Sequence, residues 1–138
     1  MRSVVQRVSS AGVDVDGKNV SSIGYGLMIL LGVKKGDTEA DAEKMAAKLV
    51  KLRIFEDGEG RIGDALGDRE ILCISQFTLY GDTRKGNRPS WIDAAGGDEA
   101  EPLYDLVSQT IGAKKGIFGA NMKVDLTNDG PVTLLLEV

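Results

Sequence analysis

The run Leu27-Met28-Ile29-Leu30-Leu31 constrains the fold more than any other feature of the chain. Read as a strand, it sends alternate side chains to opposite faces, and both faces come out apolar. Such a strand has to be covered on both sides, which makes it the buried centre of a sheet. The strongly apolar stretch ends at Val33, too short to span a bilayer.

The flanking segments supply the neighbours. Ser3 to Val8 reads as one strand and Gly12 to Asp16 as another, with Val13 and Val15 on one face. Asp16-Gly17, set between Val15 and Val20, is a hairpin signal. Ile71 to Ser75 is a further buried strand, and Met122 to Leu126 and Val132 to Val138 are two more. Thr127-Asn128-Asp129-Gly130-Pro131 reads as the turn that joins the last pair.

Two helices are expected. The first covers about Asp37 to Leu52, with Thr38 and Asp41 forming a capping-box pattern and Met45, Leu49 and Leu52 marking its apolar stripe. The second covers about Asp98 to Ile111, where Pro102 is tolerable only in the first turn. Asp57 to Gly67 and Gly81 to Gly97 read as loops, the latter polar and basic. The predicted fold is therefore α/β: a mixed sheet with a β-rich start, then β-α-β-α, then β-β, with two helices packed on it. At 138 residues the chain has the size of one domain, spanning 1–138. The N-terminal residues alternate apolar and polar instead of forming a signal-peptide core, so a cytoplasmic location is the default expectation.

Composition restricts the chemistry. The chain has no histidine and one cysteine, Cys73. Ser-His-Asp and Cys-His catalysis lack their base, zinc lacks its commonest ligands, and no intramolecular disulfide can form. No metal or cofactor is expected. The net charge of −4 argues against a broad basic face for nucleic acid, though not against a small basic patch. Any hydrolysis must rely on backbone dipoles, hydroxyls, lysines, carboxylates or the substrate itself.

Two segments stand out. Ser75-Gln76-Phe77-Thr78-Leu79-Tyr80 leaves the end of a buried strand, where hydroxyls and an amide are well placed to line a pocket. Pattern alone favours a strand that runs on to an edge. Asn128-Asp129-Gly130-Pro131-Val132-Thr133 is fully explained as an ordinary β-turn. Together, however, they resemble the D-aminoacyl-tRNA deacylase family, which carries Ser-Gln-Phe-Thr-Leu and Asn-x-Gly-Pro-x-Thr motifs. Gln6-Arg7-Val8, Leu30-Leu31-Gly32-Val33, Leu52-Arg53-Ile54-Phe55 and Asp82 to Ser90 are also similar to the family, in the same order along nearly the whole chain. The chain departs from the family pattern at Arg61-Ile62-Gly63-Asp64 and in the shortened loop to Glu70, which bears on the pocket rim or on tRNA affinity more than on the reaction.

The resemblance implies a hydrolase of D-aminoacyl-tRNA, and of glycyl-tRNA, that needs no cofactor. It implies a homodimer in which Gly130 and Pro131 of one subunit, joined by a cis peptide bond, enter the partner's pocket and exclude L-amino acids. Ser75, Gln76, Phe77 and Thr78 are then the catalytic segment. Backbone N–H groups near Phe77 and Thr78 hold the oxyanion and the substrate's 2′-hydroxyl assists water. Arg7 braces the Gly-Pro segment, with Asn128 and Met122 beside the substrate. Read from the residues alone, Arg7 is a solvated strand arginine, Met122 core filling and Cys73 an inert buried thiol. Arg84, Lys85 and Arg88 are the candidate phosphate contacts, against the reading of a merely solvated loop. Two other readings are a sister deacylase acting on L-aminoacyl-tRNA and a non-catalytic RNA-binding dimer. In the sister class Pro-Gln-Ala-Thr replaces Ser75 to Thr78, so Ser75 and Phe77 speak against it.

Overall fold

Leu27 to Leu31 lies in the interior of the sheet, in strand β3 (Gly26–Gly32), antiparallel to β1 (Arg2–Val15) and parallel to β6 (Glu70–Ser75). The computed structural model describes residues 1–138. Its strand alternation divides the core in two. Leu27, Ile29 and Leu31 join one cluster of 22 buried residues, which also takes Ile71 and Cys73 of β6. Met28, Leu72 and Ile74 point the other way, into a smaller cluster of seven with Val8, Ala11, Val13 and Ile23.

Both helices cover the larger cluster. Helix α1 (Glu39–Val50) starts at Thr38, whose hydroxyl accepts from the Asp41 N–H while the Asp41 carboxylate accepts from the Thr38 N–H. It buries Ala42, Met45, Ala46 and Leu49; Leu52 lies past its end, packed on the same core. Helix α2 (Gly97–Thr110) buries Leu103, Tyr104 and Val107. Pro102 falls in its second turn, not the first as expected. The missing N–H leaves the Asp98 carbonyl without its helical partner, and Asp98 is exposed, so water can take that place.

The sheet runs β2 (Lys18–Ile23), β1, β3, β6 and β7 (Lys114–Lys115), with β8 (Met122–Glu137) along the other edge of β1. The pairs β3–β6 and β6–β7 are parallel and the others antiparallel, the mixture the element order predicts. The β1–β2 hairpin turns on Asp16 and Gly17, with φ of 51° and 75°, as a two-residue hairpin of this twist requires.

Three expectations need correction. The two N-terminal strands are one, β1, and the two C-terminal strands are one, β8. The supposed turn from Thr127 to Pro131 is a bulge inside β8. Gln6 pairs with Thr133 and Val8 with Asn128, so Arg7 alone stands opposite Asp129, Gly130, Pro131 and Val132. Turn-forming residues describe the local chain; the pairing of both halves of β8 with one long partner decides the topology. Finally, the loop after Ile54 holds a small hairpin, β4 (Phe55–Glu56) with β5 (Ile62–Asp64).

Candidate active site

Where β6 ends at Ser75, the chain turns into a short 3-10 helix, Phe77–Tyr80, and a cleft of about 400 Å³ opens beside it. Ile74, Ser75, Gln76 and Phe77 form one wall. The opposite wall is the segment Phe118 to Met122 with Val124. Val33, Ala95 and the start of α2 at Gly97 and Ala100 complete it. No charged side chain lines the cleft; Ser75, Gln76 and Asn121 are its polar side chains.

The turn is held from several sides. Gln76 N–H donates to the Leu31 carbonyl at 2.8 Å, continuing the β3–β6 ladder by one bond. Arg2 Nη1 donates to the Leu79 carbonyl at 2.8 Å, and its guanidinium lies 4.8 Å from the Tyr80 ring centroid. Burial pushes the Tyr80 hydroxyl up to about 12. Gln76 Nε2 donates to Thr78 Oγ1 across the first residues of the turn. Phe77 and Thr78 open the 3-10 helix, so their backbone N–H groups have no acceptor within it. Thr78 is exposed and does not line the cleft.

Met122 does line it. Gly116 allows this, because a Cβ there would meet Met122 Sδ at 2.5 Å and Ile74 Cδ1 at 3.1 Å. The other residues expected near the substrate lie elsewhere on the same chain. Gly130 is six residues beyond Val124 on β8, up to roughly 20 Å at ~3.3 Å per residue. Arg7, Asn128, Gly130 and Pro131 are absent from the cleft walls.

Asn128 pairs with Val8 at the edge of the bulge, and Gly130 and Pro131 stand over Arg7, which is buried to 1% exposure, contrary to the solvated strand arginine its sequence position suggests. Its Nε donates to the Asp129 carbonyl at 3.1 Å and faces the Asp129 carboxylate at 3.1 Å. Its Nη1 donates to the Ile54 carbonyl at 2.9 Å, and Nη2 lies 3.6 Å from Glu56. A buried guanidinium needs such partners. The Gly130–Pro131 peptide bond is cis, and Gly130 has φ of +116°. Gly130 and Pro131 are exposed at the crest of the bulge, with Arg7 filling the space beneath.

Of the basic loop residues, Arg84 is paired with Asp82 at 2.8 Å, and the guanidinium holds the Asp82 carboxyl down at about 2. Lys85 and Arg88 are exposed on that loop. Cys73 is fully buried, and desolvation pushes its thiol up to about 12; its carbonyl accepts from the Tyr104 hydroxyl at 2.8 Å. No group of His, Cys, Asp and Glu side chains is arranged to hold a metal.

The sequence reading missed the far wall, Phe118 to Asn121. Its signal is an apolar and glycine-bearing stretch, Gly116-Ile117-Phe118-Gly119-Ala120, that fits neither helix nor strand period and leads directly into β8.

Comparison with known proteins covers the whole chain. Residues 4–137 match the family model described as D-Tyr-tRNA(Tyr) deacylase. The D-aminoacyl-tRNA deacylase of Myxococcus xanthus (strain DK1622) is 55% identical over 144 residues, covering 99% of this chain and 94% of the relative. That of Thermosipho melanesiensis is 52% identical over 145 residues, covering 99% and 97%. Among solved structures, one described as c-Myc DNA Unwinding Element Binding Protein superposes with a TM-score of 0.94 at 40% identity, covering 100% of this chain and 99% of that one. A probable eukaryotic D-amino acid tRNA deacylase superposes with a TM-score of 0.86 at 17% identity, a likeness of fold.

Proposed function

Because the chain belongs to the D-Tyr-tRNA(Tyr) deacylase family, whose members hydrolyse the aminoacyl-tRNA ester bond, we propose how its own residues do so. The cleft beside Ser75, Gln76 and Phe77 receives the D-aminoacyl ester at the 3′ end of tRNA, and accepts glycine as well. The observation that carries this reading is that the family motif forms a wall of a cleft without one charged side chain. No protein acid or base is at hand, so the reaction has to draw on groups that need no proton transfer of their own.

An aminoacyl ester is already activated toward water. As water adds to the carbonyl carbon, negative charge collects on the carbonyl oxygen. The open N–H groups of Phe77 and Thr78 are suited to receive it, and one such donor contributes ~2.7–4 kcal/mol. The neighbouring 2′-hydroxyl of the terminal ribose assists the water. The ester C–O bond then breaks, the ribose oxygen takes a proton, and the amino acid and tRNA separate. Thr78 acts by position: it accepts from Gln76 and has no base to make it a nucleophile.

Selection against L-amino acids comes from Gly130 and Pro131 of a second copy, seated over the cleft. Their exposure at the crest of the bulge and their distance from the cleft of their own chain support action across a homodimer. The half-buried Leu30, Met122, Val124 and Leu126, left around the smaller core cluster, supply apolar surface for it. Backbone carbonyls there meet the α-ammonium, and the volume of an L side chain is excluded. Lys85 and Arg88 meet phosphate, with Arg84 already engaged by Asp82. The enzyme works in the cytoplasm, where tRNA is charged; no helix is long and apolar enough to cross a membrane.

The test compares initial deacylation rates on D-Tyr-tRNA, Gly-tRNA and L-Tyr-tRNA. The first two are hydrolysed and the third is spared. Equal rates on D- and L-Tyr-tRNA would remove the filter from the proposal; no hydrolysis of any would remove the activity.

A further inference from the structure

Three apolar side chains stand exposed next to one another: Phe77, which lines the cleft, at 53%, Trp91 against its ring at 41%, and Ile92, the following residue, at 69%. We propose that Trp91, backed by Phe77 and flanked by Ile92, is a stacking platform for a nucleobase of the single-stranded 3′ end of the tRNA. The inference rests on the substrate reading given above and adds a binding residue to it.

Trp91 is fixed in place, which a stacking surface requires. Asp82 and Ser90 exchange both backbone hydrogen bonds at 2.9 Å, closing the basic loop immediately before Trp91. The Trp91 carbonyl then accepts from Ala94 N–H at 3.0 Å. Its ring lies against Gly81, where a Cβ would meet Cζ3 at 2.5 Å. The Phe77 ring meets it edge-on, with centroids 5.5 Å apart and planes at 72°. Phe77 also lines the cleft, so the platform is continuous with the place where the ester binds.

The surroundings indicate the occupant. Lys85 and Arg88, on the same loop, are exposed cations in no ion pair. A rigid aromatic ring beside two unpaired cations matches a base and its phosphates. A protein interface takes about 800 Å² per partner, more than three half-exposed side chains offer. In a chain of net charge −4, stacking supplies RNA affinity that the overall field does not.

Trp91 is the sole tryptophan, so intrinsic fluorescence reports on this residue alone. Titration with uncharged tRNA is expected to quench it, and titration with tRNA lacking its single-stranded 3′ end is not. Trp91→Ala should raise KM for D-Tyr-tRNA about 5- to 150-fold, the span of base–aromatic stacking, with kcat nearly unchanged. Trp91→Phe should restore most of the loss. Unquenched fluorescence with intact tRNA, together with an unaltered KM in Trp91→Ala, overturns the proposal. If wild-type protein hydrolyses nothing while tRNA still quenches Trp91, the substrate reading fails and the platform stands.

Discussion

Replacing Gly130 by alanine tests the bulge at its tightest point. An added Cβ would lie 2.7 Å from Arg7 Nη2 and 3.0 Å from Val132 Cγ2. The φ of +116° is one that L residues rarely adopt, at ~1–3 kcal/mol of strain. Arg7 is 1% exposed and cannot withdraw without loosening its bonds to the Ile54 or Asp129 carbonyls. A hydrogen bond from a charged donor contributes ~1.5–3 kcal/mol. One such bond weakened, with the strain, gives a loss of roughly 3–5 kcal/mol, within the ~5–15 kcal/mol of a typical domain. Gly130→Ala should therefore fold, with a markedly lower urea midpoint at fixed protein concentration, and lose most D-Tyr-tRNA deacylation. A double-mutant cycle identifies the cause. If the clash with the guanidinium dominates, Arg7→Ala combined with Gly130→Ala should cost less than the sum of the two by at least ~1 kcal/mol. Strict additivity, or an unchanged midpoint in Gly130→Ala, refutes the reasoning.

Three other outcomes are expected. D-Tyr-tRNA ending in 2′-deoxyadenosine should be hydrolysed far more slowly than the ribose form, while Thr78→Ala loses only part of the rate; equal rates on the two substrates, or an acyl group trapped on Thr78, would mean the protein supplies the nucleophile or base. Cys73→Ala should retain full turnover, and a thiol reagent at neutral pH should label Cys73 only after denaturation, since burial pushes its thiol up to about 12; rapid labelling of the native protein would contradict its burial. Gly26→Ala should unfold the chain, because a Cβ there falls on the Glu70 carbonyl where β3 and β6 pair, and its loss should exceed the usual ~0.5–3 kcal/mol of a single substitution; a soluble, stable Gly26→Ala protein would show that the two strands can part.

What was legible in the sequence, and what was not, follows from the range of the interaction that decides each feature. The β3 run, the Thr38–Asp41 capping box and the Asp16-Gly17 hairpin are settled by residues within a few positions of one another, and each is found where it was expected. The end of β6 at Ser75 is only half legible: the polar residues after it fit a strand running on to an edge equally well, and the chain turns instead into the 3-10 helix Phe77–Tyr80. Asn128 to Pro131 has the composition of a turn, yet becomes a bulge because β1 is long enough to pair with β8 on both sides of it. That depends on residues more than a hundred positions away. Arg7 reads as surface for the same reason: only the approach of Asp129 and Ile54 turns an isolated strand arginine into a buried one with its donors engaged. The far wall of the cleft, Phe118 to Asn121, has no period at all and is shaped by what it packs on, notably the space Gly116 leaves for Met122. The separation of the Arg7 cluster from the cleft has a further consequence. The proposed action of the exposed bulge on the cleft of a second copy is decided by mixing protomers. A heterodimer of Gly130→Ala and Trp91→Ala subunits should keep one pocket in which both lesions meet and one free of either. With D-Tyr-tRNA well below KM, where the Trp91 lesion is felt, activity near half of wild type is then the expected result, and two impaired pockets, each by its own lesion, would place the bulge over its own chain's cleft.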